Sequence, residues 1–212
     1  MSKEDDRRGM PALQKGRMHE ISGPSAAAFA FLMAPQEGEI VLCGAPRWLA
    51  ALNPEGVGKF RDPNACLHVS CPLDGDALWA AETALRSRAA SAVILQTPKT
   101  PSLTNLRRLQ LAAEKGRSLG LMIVDRPAAS SAAETRWRCQ PKAAADVHKT
   151  LPDKGFSDFP ENDSTLILAS LYKNKRGTLG SWILDVRGEK DALCVDAASA
   201  GEPSRPGRDA GG

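Results

Sequence analysis

His19-Glu20-Ile21-Ser22-Gly23-Pro24-Ser25-Ala26-Ala27 is a strand that turns at a glycine and enters a helix, and this pattern recurs along the chain. Pro24 suits a first helical turn, because its missing N–H would be unbonded there anyway. Residues 25–34 are apolar nearly all round (Phe29, Phe31, Leu32, Met33), which predicts a buried helix stopped by Pro35. Working outward, 39–43 reads as a buried strand broken by Gly44 to Pro46, 48–52 as a helical turn, and 66–70 as a second short strand. Asp74 or Asp76 offers an N-cap for a helix over 77–90, with Leu78, Ala81, Leu85 and Ala89 on one face. A strand over 92–95 closes at Pro98 and Pro101. Ser102 or Thr104 then caps a helix to about Lys115, with Leu103, Leu106, Leu109 and Ala113 inward and Gly116 at the left-handed C-terminal position.

Residues 119–125 form the next strand, followed by a small-residue loop over 127–133. In 135–139 Trp137 alternates with Arg136 and Arg138, the mark of a half-buried strand. Strands over 165–172 and 181–186, joined by the turn-rich Lys173-Asn174-Lys175-Arg176-Gly177, make a hairpin. The expected fold is α/β: a mostly parallel sheet flanked by helices, with an antiparallel C-terminal hairpin.

The length of 212 residues suits one domain plus tails, and 42% hydrophobic against 25% charged residues excludes wholesale disorder. Residues 1–18 carry eight charges and read as a flexible segment rather than a secretory signal. The domain is expected over 19–187, with 140–163 a proline-punctuated loop or linker within it. Residues 188–212, poor in core-forming side chains, are expected to be a disordered tail. Five irregularly spaced cysteines point to a reducing, cytoplasmic setting. No apolar run reaches the ~18–20 residues of a membrane helix. An aromatic content of 5% argues against a base-stacking single-strand platform.

The net charge of +3 is unevenly spread. Between Lys99 and Lys142, nine basic residues meet three acids, a local net of +6. Such a stretch attracts phosphate backbones or an acidic partner, and equally serves as a solvated helix face with edge-strand arginines. The candidate contacts for nucleic acid or a partner are Lys99, Arg126, Arg136, Arg138, Arg107 and Arg108.

Asn53-Pro54-Glu55-Gly56-Val57-Gly58-Lys59-Phe60 imitates a phosphate-binding loop, but Asn53 replaces its first glycine and Phe60 its metal-holding hydroxyl. Arg61-Asp62-Pro63 also breaks any long helix that should follow, so a surface connection is expected. Three histidines give little basis for a catalytic triad. Cys66, His68 and Cys71 match no standard zinc spacing, and Glu20 reads as a strand-edge residue. No catalytic residue, cofactor or metal is expected.

Three blocks in order, Asp76-Ala77-Leu78-Trp79-Ala80-Ala81-Glu82-Thr83-Ala84-Leu85-Arg86, Arg107-Arg108-Leu109-Gln110-Leu111-Ala112-Ala113-Glu114 and Ser131-Ala132-Ala133-Glu134-Thr135-Arg136-Trp137-Arg138, resemble the ImuA family of bacterial RecA-like proteins. The similarity runs from about His19 to Val186. It implies a RecA-like fold and a role in SOS-induced, error-prone translesion synthesis. The implied partners are ImuB, a Y-family-polymerase-like protein, an error-prone replicative-type polymerase, and RecA itself.

The resemblance also implies what is missing. Residues 19–27 lie where RecA carries its phosphate loop; Gly23 and Pro24 remain, but the glycine-lysine-threonine is gone. The acid that activates water falls near Ala45 or Pro46, the strand over 93–96 ends without its aspartate, and the nucleotide-sensing glutamine falls near Arg126. Losing three charge-assisted phosphate contacts at ~1.5–3 kcal/mol each forfeits about 5–9 kcal/mol, or ~10³–10⁶ in affinity. Segments 97–102 and 126–133 correspond to RecA's two DNA-contacting loops. The implied function is a non-catalytic adaptor. A SulA-like inhibitor of cell division and an active ATPase with a rearranged site are the alternatives.

Overall fold

Leucine- and valine-rich runs separated by short helices pair into a single nine-stranded sheet. The computed structural model describes residues 10–143, 166–177, 179–185 and 194–196. The strands are β1 (Met18–Ser22), β2 (Glu39–Gly44), β3 (Cys66–Ser70), β4 (Ala90–Lys99), β5 (Leu119–Arg126), β6 (Thr135–Lys142), β7 (Leu166–Asn174), β8 (Gly180–Asp185) and β9 (Cys194–Asp196). Their order is β3-β2-β4-β5-β1-β6-β7-β8-β9. The first six in that order run parallel, and β7, β8 and β9 pair antiparallel.

Parallel neighbours need crossovers. Helix α1 (Ala26–Met33) follows β1, and the short helices α2 (Pro46–Ala51) and α3 (Pro54–Gly58) follow β2. Helix α4 (Asp74–Arg86) joins β3 to β4, and α5 (Leu103–Gly116) joins β4 to β5. Strand alternation then sorts the core into two layers. Ile21, Ile40, Leu42, Ile94, Leu121, Ile123, Trp137 and Cys139 pack with Phe29, Phe31 and Met33 of α1. Val41, Cys43, Val93, Leu95, Met122 and Val124 pack with Ala77, Ala81 and Leu85 of α4 and Leu106, Leu109 and Ala113 of α5. Phe29, Trp137 and Trp182 form an aromatic run, with ring centroids 5.1 and 5.6 Å apart. Among the described residues no helix is long and apolar enough to cross a membrane.

Several details differ from expectation. Residues 10–18 are not merely a charged tail: Met10 is buried and Leu13 packs on the core. β4 continues through Pro98 to Lys99, so part of the expected 97–102 loop is strand. α4 ends at Arg86 and leaves Ala89 exposed outside it. The N-cap position of α4 is Leu73, with no side-chain cap; Asp74 and Asp76 lie inside the first turn, where the helix dipole favours acids. Ser102 does cap α5, accepting from the Asn105 amide at 3.3 Å, but Leu103 is exposed. β6 extends to Lys142, and residues 144–163 of the expected linker lie outside the described residues. β9 falls within the expected tail, while 197–212 again lie outside the described residues.

Gly116 is not the left-handed residue; Arg117 takes that conformation, at φ 56°. Gly116 permits close packing instead, since a Cβ there would lie 1.7 Å from the Leu85 carbonyl oxygen of α4.

Candidate functional site

Open parallel sheets bind ligands beyond the carboxyl ends of their strands, where connections part to opposite faces. Here β1 leads through Gly23 into α1, the strand–turn–helix geometry of a phosphate loop. The junction is closed. Gly23 stands at φ 99°, and a Cβ on it would sit 2.3 Å from the Cys139 carbonyl oxygen of β6. The Ser25 amide donates to that carbonyl at 3.2 Å, and the Ala26 amide donates to the Gly23 carbonyl at 3.0 Å. Two of the N–H groups at this turn, those of Ser25 and Ala26, are thus spent on the protein itself.

The neighbouring strand ends are filled too. The Trp48 indole packs on Gly44 at the end of β2, where a Cβ would come within 2.9 Å of the ring and 3.3 Å of Gln96 Cβ. Gln96 is buried three residues before the end of β4, and its amide donates to Asp125 Oδ2 at 3.1 Å. The Asn53–Phe60 stretch is remote in kind from a phosphate loop: Asn53 caps the five-residue α3, and Lys59 follows it on the surface.

The next feature lies across the central strand. β6 runs parallel to β5, so residues 127–134 must return the length of the strand before β6 can begin. They pass over the face of β1 that carries Glu20. Arg136 joins the layers: its Nε and Nη2 reach Glu20 Oε1 at 2.8 and 2.6 Å. It also donates to the Ala129 and Ala128 carbonyls at 3.2 and 2.6 Å. Lys173 Nζ donates to the Ser131 carbonyl at 2.5 Å, Lys175 Nζ to the Ala132 carbonyl at 2.6 Å, and Arg176 pairs with Glu134 at 2.9 Å. The Ala128 amide donates to Thr100 Oγ1 at 2.9 Å. This loop is a strapped cover whose exposed part is 127–130.

His19, on the opposite side of β1, continues the buried polar system. Trp137 Nε1–H donates to Thr135 Oγ1 at 2.8 Å, Thr135 lies 2.7 Å from His19 Nδ1, and His19 Nε2 lies 3.1 Å from the Gln14 carbonyl. The carbonyl can only accept, so the proton sits on Nε2 and Nδ1 accepts from Thr135. Burial pushes the His19 pKa down to about 4, and the ring is neutral. Burial also pushes the Cys43 thiol up to about 12 and the Cys139 thiol well above its ordinary value, which leaves both unreactive. Among the described residues no group of three His, Cys, Asp or Glu side chains is placed to hold a metal ion.

The six basic candidates therefore separate. Lys99 and Arg126 are register partners, exposed side by side at the ends of β4 and β5. Arg138 is exposed, with its guanidinium 5.6 Å from the Tyr172 ring centroid. Arg107 and Arg108 belong to the outer face of α5, and Arg108 pairs with Glu82 of α4 at 2.6 Å. Arg136 is a correction: it is 4% exposed, locked to Glu20 and stacked 5.1 Å from Tyr172, and it cannot reach an external phosphate. Glu20 is another, because β1 is the middle strand and not an edge. Sequence reasoning passed over Trp79, whose place opposite the inward Ala77, Ala81 and Leu85 was already a sign of exposure. No protein-family model matches the chain, and a search of curated proteins finds no match.

Proposed function

We propose that the chain is a non-catalytic, RecA-like accessory protein of the ImuA type. In this reading it acts in the cytoplasm in SOS-induced, error-prone translesion synthesis, as an adaptor for ImuB, the replicative-type polymerase and RecA. The observation that carries the reading is the closed junction at Gly23. The strand–turn–helix has the topology of a phosphate loop, while the space beside Gly23 and the Ser25 amide are taken by the Cys139 carbonyl and the Ala26 amide by the Gly23 carbonyl. A scaffold that keeps the architecture and seals the pocket is suited to binding proteins rather than to turning over nucleotide. Lys99, Arg126 and Arg138, with the exposed 127–130 segment between the first two and the third in sequence, and Arg107 on α5, are exposed candidates that would meet DNA or a nucleoprotein in this reading.

Co-purification of the full chain with ImuB and with RecA tests the proposal. Retention of either partner supports an adaptor, and a chain that binds neither removes the idea. Charge reversal at Lys99 and Arg126 is expected to weaken any salt-sensitive DNA contact without changing stability, since neither residue supports the core.

A further inference from the structure

Six large hydrophobic residues stand exposed among the described residues, and four of them (Leu73, Trp79, Leu103 and Leu111) belong to α4, α5 or the residue that opens α4. Trp79 is 66% exposed. Helical spacing explains why: Ala77, Ala81 and Leu85 turn inward, which leaves position 79 on the outer side. An indole so placed leaves on the order of 150 Å² of largely apolar surface in water. Of the four, Trp79 lies at a groove, and an apolar side chain of this size beside a groove marks a candidate interaction surface.

Trp79 borders a groove of about 590 Å³, lined also by Glu82, Thr83, Arg86, Ser87 and Arg108. Glu82 holds the two arginines in place, with Oε1 2.6 Å from Arg86 Nη2 and Oε2 2.6 Å from Arg108 Nη2. Two guanidiniums share one carboxylate, so the groove keeps a positive excess, and each guanidinium retains further N–H donors. Arg88, Lys115 and Arg117 extend the basic character around the C-terminal ends of the same helices, while the nearby Glu114 pairs with Arg17 at 3.3 Å. Arginines fixed by an internal carboxylate are pre-organised for a second one, and a Trp flanked by arginines has the make-up of an interface hot spot.

We propose that the α4–α5 groove docks an acidic amphipathic segment of another protein. An apolar side chain of the partner covers Trp79, and its carboxylates take the free donors of Arg86 and Arg108. Charge complementarity selects this occupant. A second copy docking through the same face would set like charges against one another, and a nucleic-acid backbone would meet the cations but offer little apolar surface to Trp79. The inference rests on this groove alone and stands apart from the function proposed above.

The test titrates the full chain at low salt with a synthetic helical peptide about four turns long, leucines on one face and glutamates on the other, following tryptophan emission and peptide anisotropy. Saturable binding is expected. Trp79→Ala and the Arg86→Gln/Arg108→Gln pair should each weaken it by at least ~10-fold while the chain stays folded by circular dichroism at the titration temperature. A polyglutamate peptide of equal length should bind at least ~10-fold more weakly. Unchanged binding by Trp79→Ala, equal binding of polyglutamate, or no saturation would each overturn the proposal. Tighter binding of duplex DNA that is lost in the same variants, or a dimer abolished by Trp79→Ala, would overturn it in favour of those occupants.

Discussion

Glu20 and Arg136 face each other inside the central strand pair, and neither is more than 4% exposed. The pair exists because the 127–134 segment crosses β1: the same guanidinium that meets Glu20 also binds two carbonyls of the cover. Removing one member leaves the other charged and buried, so Glu20→Ala is expected to destabilise the fold by roughly 3–5 kcal/mol in urea unfolding. The double change Glu20→Leu/Arg136→Met should recover much of that loss. A single-variant loss below about 1 kcal/mol would show that the pair is not desolvated. His19 gives a second expectation at this scale. Its folded pKa of about 4 lies below the ordinary 6.5, so the unfolded chain binds more protons between those values. Stability is therefore complete above about pH 6.5 and falls as the pH drops toward 4, by roughly 3 kcal/mol from this residue. The wild-type loss between those limits should exceed that of His19→Gln; equal slopes would place the ring in water.

At the scale of elements, periodicity was readable wherever burial follows from local pattern. Leu106, Leu109 and Ala113 face inward as the spacing predicted, though Leu103 does not, and the parallel strands and the closing hairpin form at the expected places, with β4 and β6 longer than expected. What was not readable depends on neighbours distant in sequence. Alternation with Trp137 described Arg136 as a half-exposed strand residue, because the loop that buries it and the acid that pairs with it lie elsewhere in the chain. Gly116 looked like a left-handed terminus, since local rules have no knowledge of α4; the Leu85 carbonyl is the actual reason for glycine. Gly116→Ala is accordingly expected to cost about 1–3 kcal/mol by forcing α4 from α5, against the ~1 kcal/mol gain that alanine brings to an unobstructed helix. A neutral or stabilising result in thermal unfolding would contradict the close packing. The Gly23 junction was half legible: that no lysine or threonine follows Gly23 could be seen in the sequence, but not the use of the Ser25 amide by Cys139.

For the whole molecule, a mostly parallel sheet has its Gly23 junction occupied by Cys139 and carries a basic, partly apolar helical layer on one face. Both core layers are filled by the chain's own side chains, and the partner surfaces proposed above are the strand-end pair Lys99 and Arg126 and the α4–α5 groove. Calorimetric titration of the full chain with magnesium-ATP, paired with its unfolding free energy, probes this arrangement most directly. The account predicts no saturable heat and no stabilisation at millimolar nucleotide. Stabilisation approaching the ~2.7 kcal/mol expected at a hundred times the dissociation constant, or steady hydrolysis abolished by Lys59→Ala, would contradict it.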